Sequence, residues 1–190
     1  MGNREDLLAG ARKAILERGL AKVTARDIAG AAGVSLAAIG YHFGSKDRLI
    51  AEAVTEGVGA EIGDRMDEAI RDAGEGRTLF ESLEPTWDGM LDVAYKCHDQ
   101  LMLSLENGVN VARTPESQAY MAAASESVFP ELGEMLREVH PDLTVSEARA
   151  VAKVYFALFQ GVAVMSLLAP GSEMLRGEDV ELAVKAMRGK

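Results

Sequence analysis

Apolar residues recur along this chain at helical spacing, and no run of alternating β-branched residues reads as a strand. Leu7, Leu8, Ala11, Ala14, Ile15 and Leu20 form a first stripe, and Gly19 offers a stop, which predicts a helix from about Asn3 to Gly19. Two short segments follow. Thr24 with Asp27 three residues on has the form of a capping box, and Ile28 is the buried contact among small Ala29, Ala31 and Ala32. Gly33 then supplies a stop where a positive φ is cheap. Val34 enters the core, and Ser35 is placed to cap a second short helix, Leu36 to about Phe43. Two short helices joined by a glycine turn form a helix-turn-helix, whose second helix is the one that enters a major groove.

The rest of the pattern is also helical. Ser45 caps a helix predicted from Lys46 to about Asp72, followed by a turn-rich break at Ala73-Gly74-Glu75-Gly76-Arg77. A fifth helix is expected from Thr78 to about Cys97, kinked at Pro85, and a sixth from His98 to about Arg113. Pro115 opens a seventh that Pro130 bends or divides before Val139. Thr144 and Glu147 make a second capping box, opening a helix to about Leu168, and a last helix runs near Glu178 to Arg188. The helix from Val145 carries two apolar stripes. One comprises Val151, Val154, Tyr155, Leu158, Val162 and Met165, the other Ala152, Phe156, Phe159, Ala163 and Leu167. A helix apolar nearly all round must be covered on both sides, by its own bundle and a second subunit or wholly within one chain. Its longest apolar run, Val154 to Ala169, is 16 residues and contains Gln160, Gly161 and Ser166, short of the roughly 20 that span a membrane, so a buried core helix is expected and no membrane partner.

Charge changes the picture more than composition does. The net charge of −10 hides an asymmetry. Residues 1–48 carry eight Lys and Arg against five acids, a net +3, and residues 49–190 carry twelve against twenty-five, a net −13. A basic head on an acidic body orients a molecule on a polyanion, although acidic surfaces also serve solubility alone. Within the head, Lys46 sits in the first turn of its helix, where a cation opposes the helix dipole. A phosphate bound at the same helix end makes sense of it. The single Cys97 excludes an intrachain disulfide framework, and the polar start Met1 to Asp6 does not read as a leader, so a cytoplasmic location is expected.

Catalytic chemistry finds little support. His42, His98 and His140 stand in unrelated contexts without a second ligand at metal spacing, and adjacent Cys97 and His98 do not face each other on a helix. Neither an enzyme, nor a metal, nor a cofactor is expected. A small-molecule cavity is a better expectation. Trp87, Met90, Leu91, Ala94, Tyr95 and His98 share one helix face, as do Met102, Leu105, Glu106 and Val109, although such stripes also build plain core. Trp87, Met90, Tyr95, Met102, Glu106, Tyr155 and Phe159 are the candidate lining.

The helix-turn-helix carries a specific resemblance. Thr24, Ile28, Ala29, Ala32, Gly33, Val34, Ser35, His42, Phe43, Ser45, Lys46, Asp47 and Leu49 match the pattern of the TetR family of bacterial transcriptional regulators over roughly the first fifty residues. The chain departs from it at Gly40, where many members carry Tyr; the aromatic here is Tyr41. The resemblance implies an all-α fold, with a three-helix DNA-binding domain at residues 1–48 and a ligand-sensing, dimerising bundle at residues 49–190. It implies a homodimer on a pseudo-palindromic DNA operator, released by a small effector, most simply a repressor. The DNA-facing residues expected are Thr24, Arg26, Ser35, Leu36, Ala37, Ala38, Gly40, Tyr41, His42 and Lys46. Arg26 is the candidate for guanine, with an ordinary phosphate or salt-bridge role as its alternative. Phe156, Phe159, Ala163, Val180, Val184 and Met187 are the expected dimer contacts, since the family pairs its last two helices. A small helical metabolite-binding protein or enzyme, and an effector-independent DNA-binding dimer, remain the rival readings.

Overall fold

Local capping chemistry sets the helix ends. The computed structural model describes residues 3–188. Among the described residues the chain forms α1 (Asn3–Arg18), α2 (Ala25–Ala32), α3 (Ala37–Phe43), α4 (Lys46–Val54), α5 (Ala60–Gly74), α6 (Leu83–Lys96), α7 (His98–Val111), α8 (Pro115–Val139), α9 (Val145–Leu168) and α10 (Gly177–Arg188). No strand is present among those residues. Gly19 ends α1 with φ +78°, as its position in the pattern requires. Thr144 and Glu147 cap α9 reciprocally, the Glu147 amide donating to Thr144 Oγ1 at 3.3 Å and the Thr144 amide to Glu147 Oε2 at 2.9 Å.

Three helix expectations need correction. The helix expected from Lys46 to Asp72 is interrupted by a π-helical turn, Thr55–Gly59, between α4 and α5. The fifth helix starts at Leu83 and not at Thr78. Thr78 and Glu81 do exchange capping hydrogen bonds, at 2.9 and 3.3 Å, but they close a separate turn. Pro85 therefore lies in the first turn of α6, where its missing N–H is no loss, and has no reason to kink the helix. Pro130 stays inside α8 without dividing it.

The chain separates into two compact units, Met1–Glu61 with Met102–Ser125 and Ile62–Leu101 with Glu126–Lys190. That division differs from a cut at residue 48, because it gathers α4, the π-turn and the α7–α8 junction with the head. In the first unit α1 packs on α2 and α4. Leu7, Ile28 and Leu49 are fully enclosed there, with Leu8, Ile15, Ile39, Phe43 and Ile50 around them. The α1–α2 crossing is close: a Cβ on Gly10 would lie 2.7 Å from the backbone nitrogen of Ala32. In the second unit α6 packs against α9 and α10. Its core includes Ile70, Trp87, Met90, Leu136, Ala152 and Tyr155. The Trp87 indole N–H donates to the Leu175 carbonyl at 2.6 Å, and the Gly177 amide donates to Asp88 Oδ1 at 2.9 Å. These bonds fasten the α9–α10 connection to α6. His140 is buried at the end of α8, with Nε2 3.3 Å from Ser82 Oγ. Burial pushes its pKa below the ordinary histidine value, opposed by a backbone hydrogen bond with Arg77.

Candidate nucleic-acid interface and effector region

Both ends of α2 are fixed by hydrogen bonds within two turns. Thr24 Oγ1 accepts the Asp27 amide at 3.2 Å, while Asp27 Oδ2 accepts the Thr24 amide at 3.0 Å. The Thr24 hydroxyl also donates to Asp27 at 2.7 Å. That hydroxyl bond, then the amide bond, then the Arg18 charge hold the Asp27 carboxyl below its ordinary pKa. Arg18 Nε lies 3.0 Å from the same carboxylate. At the other end Gly33 has φ +67°, and the amides of Gly33 and Val34 donate to Gly30 and Ala29 at 3.3 and 3.1 Å. This paired closure uses the left-handed conformation that glycine adopts without strain.

The turn delivers α3 with one side in the core and one in solvent. Ile39, Phe43 and Ala38 are buried, whereas Leu36, Ala37, Gly40, Tyr41 and His42 are exposed. Two site expectations are corrected here. Ala38, 8% exposed, belongs to the core. Ser35 does not cap α3: the cap position falls on Leu36, which makes no side-chain cap bond, and Ser35 contributes only its carbonyl to the Ala38 amide at 3.0 Å. Tyr41, 86% exposed, stands edge-on to the His42 ring with centroids 4.8 Å apart. Thr24 is exposed but committed to its capping box, and Arg26 is exposed on α2. Ser45 Oγ accepts the Arg48 amide at 3.1 Å and caps α4. Lys46 follows it, its ammonium 3.4 Å from the Val23 carbonyl and 3.7 Å from Asp47.

The expected effector residues do not converge on one cavity. Trp87 and Met90 are closed within the core, and Tyr155 and Phe159 are buried. Burial pushes the Tyr155 phenol up to about 12. Its hydroxyl lies towards Thr86 without a hydrogen bond of normal geometry. Tyr95 is exposed on an open cleft of about 740 Å³ in the second unit, bordered also by Leu91, Met174 and the carboxylates of Glu84 and Glu173. Met102 and Glu106 are exposed and belong to the first unit. Among the described residues, no three His, Cys, Asp or Glu side chains are grouped to hold a metal.

The dimer expectations divide as well. Phe159, Ala163 and Val180 are buried inside the protomer. Phe156 and Val184 are half-buried, Phe156 edge-on to Phe129 at 5.5 Å, and Met187 is exposed. The buried face of α9 runs through Ala148, Ala152, Tyr155, Phe159, Val162 and Ser166. It takes members of both apolar stripes, because a 3.6-residue repeat places these positions on one side. The opposite side exposes Val154, Val164, Met165 and Leu168, and α10 exposes Leu182 and Met187. By length and composition α9 is apolar enough to cross a membrane, yet it packs on α6.

Residues 7–53 match the family model of bacterial regulatory proteins, tetR family. No match was found among curated proteins. Similar solved structures span nearly the whole chain. A transcriptional regulator from Rhodococcus sp. Rha1 is 22% identical, with 98% of this chain and 94% of that one aligned at a TM-score of 0.56. The multidrug binding protein EbrR, complexed with imidazole, is 18% identical over 97% of this chain and 88% of its own, with a TM-score of 0.61. A TetR transcription regulator from Haloarcula marismortui is 19% identical over 98% and 94%, with a TM-score of 0.52. At these identities the structures establish the fold, and the motif at the N-terminus supplies what fold alone does not. The chain thus matches the tetR-family model over residues 7–53 and has, along its length, the fold of the solved regulators it resembles.

Proposed function

We propose that this protein is a homodimeric, ligand-responsive DNA-binding regulator that reads a pseudo-palindromic operator through α3, acting as a repressor released by a small molecule. The observation that carries the reading is the exposed face of α3, Leu36, Ala37, Gly40 and Tyr41, presented by a short helix whose opposite side is core. None of these side chains makes a bidentate base contact. Thymine methyl contacts, DNA shape and half-site spacing therefore supply most of the specificity. Arg26, exposed on α2, is the candidate for guanine. Lys46 and the capped start of α4 form the phosphate anchor, the ammonium exchanging the Val23 carbonyl for a phosphate oxygen.

Dimerisation uses the exposed apolar sides of α9 and α10, and two heads about 34–36 Å apart then reach successive major grooves. The likeness to a multidrug binding protein supports a small organic effector. Selection of duplexes from a random library, followed by titration, tests the reading. Lys46→Ala should weaken selected and random duplexes alike and make the salt slope about one unit shallower. Tyr41→Ala should weaken both, and Leu168→Glu or Met187→Glu should give monomers that lose the selected duplex. A wild-type protein that selects no sequence rejects the function. A stable wild-type monomer in sedimentation rejects the assembly.

A further inference from the structure

Glu52 is a carboxylate almost without access to water, its side chain 4% exposed. A buried charge of this kind persists only when paired. Glu52 is paired twice. The Arg4 guanidinium from α1 closes on one of its oxygens, and Arg48 Nε sits 3.2 Å from the other. Each arginine has a further attachment. Arg4 lies over the Phe43 ring at the end of α3, 5.5 Å from its centroid. Arg48 lies over the Tyr120 ring at 4.5 Å and donates to the Glu116 carbonyl at 3.5 Å, both in the first turns of α8. The contacts therefore run unbroken from α8 through Arg48, Glu52 and Arg4 to Phe43, all within the first compact unit.

We propose that Arg48 and Glu52 are positioning residues for α3, carrying the placement of the start of α8 to the end of the recognition helix through Arg4 and Phe43. The inference rests on α3 being the helix that reads DNA. The physical reason is competition for few acceptors. Arg48 divides its fork between a carboxylate and the α8 backbone while its face rests on a ring, so a shift of α8 changes how firmly it holds Glu52. Glu52 cannot be left unpaired in its buried site, so Arg4 must compensate. Arg4 in turn bears on Phe43. Thr55, in the π-helical turn that follows α4, adds a neighbouring contact to α8, its hydroxyl 3.2 Å from Met121 Sδ.

The test uses the full chain and duplexes selected by the wild-type protein. Tyr120→Leu removes the ring and Arg48→Lys keeps the charge but loses the fork. Each should weaken the selected duplex roughly 2- to 30-fold, the range of networked couplings. The double variant should be no weaker than the weaker single one, and Tyr120→Phe, which keeps the ring, should bind as wild type. Unchanged affinity in both single variants, or effects that multiply in the double, overturns the proposal. A wild-type protein that selects no duplex refutes the function itself. In that case hydrogen exchange decides the clasp alone: faster exchange at the amides of residues 39–44 in Tyr120→Leu supports it, and unchanged exchange overturns it.

Discussion

The two compact units solve opposite problems with their surfaces. In the first, α2, α3 and α4 are short, and what α2 and α3 turn outward includes Arg26, Gly30, Ala37, Gly40, Tyr41 and His42, the surface proposed to meet DNA. In the second, α9 and α10 are longer and turn Val154, Met165, Leu168, Leu182 and Met187 outward. Scattered exposed apolar residues are ordinary, but Val154, Met165 and Leu168 recur at spacings of 11 and 3 on one helix side and make a stripe. The first unit's energy lies in a closed core under capped helix ends. The second leaves part of its apolar area exposed on the protomer.

Breaking each unit separately sharpens that contrast. The largest effect should come from the second unit: Trp87→Ala removes a fully buried indole and its bond to Leu175, and should cost about 3–5 kcal/mol in chemical denaturation followed by circular dichroism. Next is Gly10→Ala in the first unit. The new methyl meets the Ala32 backbone, which cannot rotate away, and the expected loss is about 1–3 kcal/mol. Trp87 is the chain's single tryptophan, so its fluorescence reports the second unit. If the units unfold separately, Gly10→Ala moves the circular-dichroism midpoint and leaves the fluorescence midpoint in place. Gly33→Ala forces an L side chain into φ +67° and should cost about 1–2 kcal/mol, read from the same melts.

The smallest effect is the pH dependence of the second unit. The pKa of His140 is lowered by burial, so the unfolded chain binds its proton more readily than the folded one. This histidine costs nothing above its unfolded value of about 6.5 and destabilises progressively as pH falls below it. Tryptophan-monitored stability should decline with falling pH in that window, and His140→Gln should flatten the decline. An equal slope in the variant would assign the effect to other groups.

The head was legible because its punctuation is local. Thr24, Asp27, Gly33 and Ser45 each act within about one turn, and a sequence displays such neighbours directly. Thr78 marks a false start: with Glu81 it forms a genuine capping pair, but one that closes a turn five residues before α6 begins. The faces of α9 were not legible, since a helix with hardly any polar side gives no mark of inside and outside. Nor was the assignment of Met102 and Glu106, whose stripe looks like a lining until tertiary structure leaves it exposed. The Glu52 pairing was invisible for a different reason. Its partners lie 48 and 4 residues away, and only the fold brings the first of them near.

The π-helical turn at Thr55–Gly59 has a consequence for descent. Each residue of an α-helix advances the side-chain direction by about 100°. An insertion absorbed as a π-turn lets the chain gain one residue without unwinding the helix that contains it. The wider turn takes up the extra residue locally, so later positions keep the side-chain directions they would have in a helix without it. The family match stops at residue 53, two positions before the turn begins. A π-turn at that point lets a residue enter the chain behind the head while α5 keeps Ile62, Met66, Ile70 and Ala73 on the face it buries.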